Sequence, residues 1–235
     1  MRKLTALLLA LALTLGLSAA FADTQITVTG SGEVLIPADV AVISLGVNVR
    51  SAEAPSAQAE ANEVIAKIRE ALTAAGIDEE DISTGYINLY AAYDYSSSVE
   101  RITGYNASST LAVKVTDMSR VGEVIDLAFG AGANMLDGVS FSAKDDTAAR
   151  AEALKAAVAD AKAKAEVLAE AVGLGKLEID SIAESGVYAY DSGANNFSAK
   201  GMITEQAEDA ATVIRAAKIC VSASVTITYE AKQKD

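Results

Sequence analysis

The sequence predicts an α+β fold, with a ferredoxin-like βαββαβ core over about residues 40–143 that is extended by a long helix and additional antiparallel strands in a single domain. Two patterns carry this expectation. Apolar residues recur at every second position in some stretches and at helical spacing in others, and from residue 40 to 143 they follow as strand, helix, strand, strand, helix, strand. Beyond that core, residues 147–172 carry one long alanine-rich helical face, and residues 219–230 alternate without a break.

In chain order, Ile26, Val28 and Gly30 alternate with Thr27 and Thr29, and Ala41, Ile43, Leu45, Val47 and Val49 alternate with Ser44, Asn48 and Arg50. These are two strands with one buried face each. Gly30 and Gly32 permit a bulge or tight bend in the first, and Pro37 blocks ladder pairing between the two. No helix start follows the glycines, so they do not form a dinucleotide fingerprint. Ala57, Ala61, Val64, Ile65, Ile68 and Leu72 then fall at helical spacing, with Gly76 placed to end that helix in a left-handed cap. Residues 82–95 and 105–115 read as a hairpin with a long polar tip at Ser96-Ser97-Ser98. Asp117 is a suitable N-cap for a helix carrying Val121, Val124, Ile125 and Ala128 and ending at Gly130, and residues 135–143 close the core as a strand.

The long helix places Ala151, Leu154, Ala157, Val158, Ala161, Ala165, Leu168 and Ala169 on a face small enough to approach a sheet closely. A strand over 177–184 and an irregular stretch from 186 to about 201 follow. In the last strand Ile219, Val221, Ala223, Val225, Ile227 and Tyr229 alternate with Cys220, Ser222, Ser224, Thr226 and Thr228. Residues 204–218 stay open between a helix, favoured by alanines and i,i+4 charges, and a strand started by Thr212, Val213 and Ile214. No Pro- or Gly-rich linker divides residues 23–235, which therefore read as one domain.

Residues 1–22 read as a cleavable signal peptide. Arg2 and Lys3 precede an apolar core over residues 4–17, and Ala20-Phe21-Ala22 offers small residues at the positions a signal peptidase requires. That core is shorter than the ~20 residues of a spanning helix, and no later segment is apolar enough to span a bilayer, so an exported, soluble product is expected. Without the leader, 17 basic residues face 32 acidic ones, a net charge of −15. Such a chain is repelled by phosphate backbones, which argues against a nucleic-acid partner. The absence of histidine removes the usual general base and the commonest metal ligand. With Cys220 as the single cysteine there is no intramolecular disulfide, and a core must hold the fold.

Three residue groups are candidates for function. Asp78, Glu79, Glu80 and Asp81, and the pair Asp145-Asp146, offer acid/base or calcium chemistry, but no EF-hand spacing is present. A solvated turn and a helix cap at Asp146 account for them better. Tyr86, Tyr90, Tyr93, Tyr95 and Tyr105 lie on the hairpin, with Tyr188 and Tyr190 in the later irregular stretch. They form either an interface rim or an ordinary half-buried strand surface. Cys220 falls on the polar side of its strand, open to a redox role, although a small, buried, inert thiol is the commoner state.

Several fragments, in order, resemble the SIMPL-domain family. They are Ile26-Thr27-Val28-Thr29-Gly30-Ser31-Gly32-Glu33-Val34, Pro37-Ala38-Asp39-Val40-Ala41, Asn62, Asp81-Ile82-Ser83-Thr84, Gly104-Tyr105-Asn106-Ala107, Ala148-Ala149-Arg150 with Ala153 and Ala156, and Val225-Thr226-Ile227-Thr228-Tyr229. The chain departs from the family at Ala216-Ala217-Lys218, where many members have a Pro-Gly turn. The resemblance implies an exported protein of the periplasm or cell envelope, of the kind described as immunogenic antigens or oxidative-stress defence proteins. Some members form ring- or channel-like homo-oligomers, one in animals is an adaptor in kinase signalling, and the family has no established catalytic residues. The expectation is thus a non-enzymatic envelope protein without cofactor or metal, self-associating as a homo-oligomer, with any envelope protein partner unidentified. Its alternatives are a small-ligand module using the tyrosine-rich hairpin and an enzyme working with carboxylates alone.

Overall fold

A computed structural model describes residues 24–94, 100–192, 212, 214–216 and 218–233, so the leader, the hairpin tip with Tyr95 and most of 204–218 lie outside the described residues. The elements are β1 Thr24–Pro37, β2 Val40–Ser51, α1 Ala54–Ala74, β3 Ile82–Asp94, β4 Arg101–Val115, α2 Val121–Gly130, β5 Met135–Ser142, α3 Thr147–Ala171, β6 Leu174–Asp191 and β7 Lys218–Gln233. The fold is mixed α/β, with one sheet in the order β3-β4-β2-β5 and another in the order β1-β7-β6. Because β1 and β2 belong to different sheets, the ladder does not continue past Pro37. The described residues fall into two compact units, one drawn from Met1–Gly32, Leu154–Gly186 and Ala223–Asp235 and the other from Glu33–Ala153 and Val187–Ser222.

In the larger unit, β2 is central, antiparallel to β4 through Leu45↔Leu111 and Val49↔Ala107 and to β5 through Ile43↔Val139. Its Ile43, Leu45 and Val47 are buried as the alternation predicts. Helix α1 begins with Pro55 in its first turn and buries Ala57, Ala61, Ile68 and Leu72. Ala57 and Ala61 form a cluster with Val47, Val49 and Ala107. The helix ends at Gly76 as expected: φ is 87°, and the Gly76 and Ile77 amides donate to Thr73 and Leu72 carbonyls at 3.0 and 3.1 Å. A Cβ at Gly76 would meet no atom within 4 Å, so only backbone strain opposes a side chain there. Gly76→Ala is expected to lower stability by about 1–2 kcal/mol, read from the midpoint of a urea titration.

Two caps differ from expectation. Asp117 accepts from the Ser119 amide at 3.0 Å and so caps the short 3-10 turn Met118–Arg120; α2 starts after it. At α3, the Asp145 carboxylate rather than that of Asp146 accepts from the Thr147 amide, at 2.9 Å. Asp146 instead takes a fork from Arg150, with Nε at 2.7 Å and Nη2 at 2.6 Å. An i,i+4 arginine competes for that carboxylate, and the neighbouring acid takes over the cap.

In the smaller unit, β1 and β7 are antiparallel, with Thr27 beside Thr228 at 3.1 Å and Thr29 beside Thr226 at 3.4 Å. Ala157, Ala161, Ala165 and Ala169 form the buried stripe of α3, one residue in four, whereas Val158 and Leu168 of the expected face are exposed. Gly30 explains the stripe. A Cβ on Gly30 would lie 2.0 Å from the Ala157 carbonyl oxygen and 2.6 Å from the Ala161 nitrogen, so the helix backbone rests on the bare strand. The burial alternation of β1 runs unbroken from Ile26 to Gly32, and the expected bulge gives way to this close approach. The Lys164 ammonium donates to the Thr29 carbonyl at 3.0 Å and to Asp160 at 2.7 Å, and Asp160 also accepts from the Ser31 amide at 2.8 Å.

Strand β6 is longer than the sequence suggests. It continues through Gly186 to Asp191, and the Ser192 amide still donates to the Lys218 carbonyl at 3.0 Å. Ser-Gly at 185–186 has the composition of a turn, but pairing with β7 holds the segment extended.

Candidate functional site

Strand β3 is an edge, bonded to β4 on one side. Residues 83–90 are exposed on both faces. Neither side of Tyr86-Ile87-Asn88-Leu89-Tyr90-Ala91-Ala92-Tyr93 is consistently polar, so the exposed strand presents apolar groups. The register shifts between Thr84 and Ile87 and again between Ala92 and Tyr93. At the first shift the Tyr86 amide is satisfied by the Thr110 hydroxyl at 3.0 Å. Such irregularities twist an edge, yet the apolar surface stays open.

The register divides the candidate tyrosines. Leu89 is opposite Ala107 and Ala91 opposite Tyr105, and Tyr105 packs against the cluster of Val47, Val49, Ala57, Ala61 and Ala107. Tyr105 therefore belongs to the core beneath α1. Tyr90, opposite Asn106, points to the other face. Tyr86, Tyr90 and Tyr93 keep 43%, 46% and 44% of their surface exposed, and Ile87, Leu89 and Ile102 are exposed beside them. These three aliphatic residues carry no signal in the sequence that separates an exposed edge from a buried face, since Ile87 and Leu89 alternate with Tyr86, Asn88 and Tyr90 as a buried face would.

Of the candidate acids, Asp81, Asp145 and Asp146 are engaged in structure. Asp81 pairs with Lys114 at 2.8 Å. Hydrogen bonds from Ser119, from Thr147 and from the Arg150 guanidinium hold Asp117, Asp145 and Asp146, respectively, below the usual carboxylate range. A general acid at neutral pH needs the opposite shift. Because the folded pKa values are depressed, their stabilisation is present above the unfolded value near 4 and is lost as pH falls through the folded values. The thermal midpoint is expected to be flat from about pH 5 to 7 and to drop below about pH 4, and Asp146→Asn should shrink that drop in circular-dichroism melts. Among the described residues, no three acidic, cysteine or histidine side chains group so as to hold a metal ion.

Cys220 is 5% exposed, although it falls on the polar side of β7. Tyr190 of β6 lies close enough to its thiol for the interaction to raise the tyrosine pKa. The native protein is expected to resist an aromatic disulfide reagent until unfolded, whereas Tyr190→Ala should label at least tenfold faster, followed by absorbance.

Among the described residues, no helix is long and apolar enough to cross a membrane. The profile of the SIMPL family, described as proteins of unknown function (DUF541), matches residues 26–229. The chain is 32% identical over 142 residues to the 26 kDa periplasmic immunogenic protein of Brucella melitensis, covering 58% of this chain and 57% of that one. It is 28% identical over 137 residues to the uncharacterized protein YggE of Escherichia coli K12, covering 58% and 56%. These matches span less than two thirds of the relatives' own lengths. The family profile, by contrast, runs from Ile26 in the first strand to Tyr229 in the last, and on that extent the chain belongs to the SIMPL family.

Proposed function

We propose that this is an exported, non-enzymatic SIMPL-domain protein of the cell envelope that self-associates through the β3–β4 edge and contributes to stress tolerance. The observation that carries self-association is an edge strand bearing Tyr86, Tyr90 and Tyr93 beside exposed Ile87, Leu89 and Ile102. Tyrosine at such a site buries area while keeping a polar handle, and an open strand edge offers backbone pairing to a second copy. Export is supported by the leader pattern and by the periplasmic naming of the Brucella relative; the link to stress rests on the family resemblance. The ferredoxin-like reading of the larger unit is supported by the order β3-β4-β2-β5 with antiparallel neighbours throughout. The absence of histidine and the downward shifts of Asp117, Asp145 and Asp146 favour a non-enzyme.

Light scattering tests the assembly. The protein is expected to run as a multiple of the chain mass, and the double variant Tyr90→Ala/Tyr93→Ala as a smaller species. A monomeric wild type would end the self-association reading, and an unchanged mass in the variant would move the contact elsewhere.

A further inference from the structure

The smaller unit carries a groove of about 770 Å³ between α3 and β6, within the size range of small-molecule sites. Val158 of α3 and Leu177 and Ile179 of β6 give it apolar walls, and Tyr229 of β7 also lines it. Tyr229 is only 4% exposed, and its hydroxyl makes no hydrogen bond among the described residues. No buried side-chain oxygen there lacks a partner, so the hydroxyl is the part of Tyr229 that reaches the surface. A tyrosine otherwise sunk in the core thus offers one unused polar atom to an apolar groove. The rim is acidic: Glu166 and Glu170 both line it, and Lys162, the one cation among the described lining residues, is held loosely by Glu166 at 3.7 Å. Glu166 also lies close enough to help raise the Tyr229 pKa, after the larger effect of burial.

We propose that this groove binds a small cationic amphiphile, its apolar chain against Val158, Leu177 and Ile179 and its ammonium group between Glu166, Glu170 and the Tyr229 hydroxyl. The tyrosine oxygen and the carboxylates accept from the ammonium N–H groups. Charge complementarity selects this occupant. One lysine against two glutamates leaves the rim negative, and the chain as a whole carries 32 acidic against 19 basic residues, so a fatty carboxylate of the same shape is repelled where an amine is drawn in.

Calorimetric titration with decylammonium, kept below the concentration at which it aggregates, tests the site, with decanoate as the same chain of opposite charge. Decylammonium is expected to bind at one site per chain and decanoate at least tenfold more weakly. Glu170→Gln should weaken the amine about fivefold, and Tyr229→Phe, which keeps the bulk, severalfold. Val158→Trp, at an exposed wall position, should abolish binding by filling the groove. Equal affinity for amine and carboxylate, or amine binding unaffected by Val158→Trp and Glu170→Gln, would overturn the proposal. So would an absence of binding joined to a fall in native mass on Val158→Trp, which would assign the groove to a second copy of the chain.

Discussion

Gly30→Ala is expected to cost about 3 kcal/mol of stability, at the upper end for adding one methyl group. The size follows from what the new atom meets. The nearest obstacles are the backbone oxygen of Ala157 and the backbone nitrogen of Ala161, at 2.0 and 2.6 Å, and neither can rotate away. Relief requires lifting α3 from β1, which breaks the packing of the alanine stripe and stretches the Lys164 to Thr29 contact of 3.0 Å. A compensating Ala161→Gly should recover little, because it removes the Cβ at 2.7 Å and leaves both backbone atoms in place. Urea unfolding of the single and double variants measures both quantities. A loss near that of an ordinary surface substitution would show that the helix does not rest on the strand.

Leu111→Ala is expected to cost a similar amount, about 3 kcal/mol, by a different route. Leu111 is fully buried, lies directly opposite the equally buried Leu45 on β2, and faces Thr84 on β3. Central strands pinned by neighbours on both sides cannot close around the space left behind, so the lost transfer energy and the cavity both count. Leu35→Ala is the control: Leu35 is 56% exposed and its loss should fall within about 0.5 kcal/mol. Similar denaturation midpoints for the two variants would contradict the placement of the core.

The parts of the fold that local sequence announced were those whose cause is local. The alternation of Ile43, Leu45 and Val47 and of Val221 to Tyr229 needs only one buried face, and Gly76 needs only a helix that must stop. What the sequence hid depends on distant partners. Gly30 resembles a bulge until a helix more than a hundred residues later is laid across it. The buried face of α3 is chosen by that contact, which admits alanine every fourth residue and leaves Val158 and Leu168 outside. Asp146 resembles a cap until Arg150 claims its carboxylate. At the candidate edge, the tyrosines were visible but their sidedness was not, because register decides that Tyr105 joins the core while Tyr90 does not. Tyr229 reads as one more alternating residue, and its place in the groove, with a hydroxyl that has no partner among the described residues, sets it apart.

The burial of Cys220, on β7 beside Tyr190 of β6, makes the thiol a clock for strand opening. A reagent in solution reaches the sulfur when β6 lifts from β7 or when the whole protein unfolds, and these routes differ in their response to denaturant. If dilute urea leaves the modification rate nearly constant, exposure comes from a local excursion; if the rate rises steeply, it reports global unfolding. The protein therefore carries an internal reporter of how often its last strand pair comes apart under native conditions, without any added label.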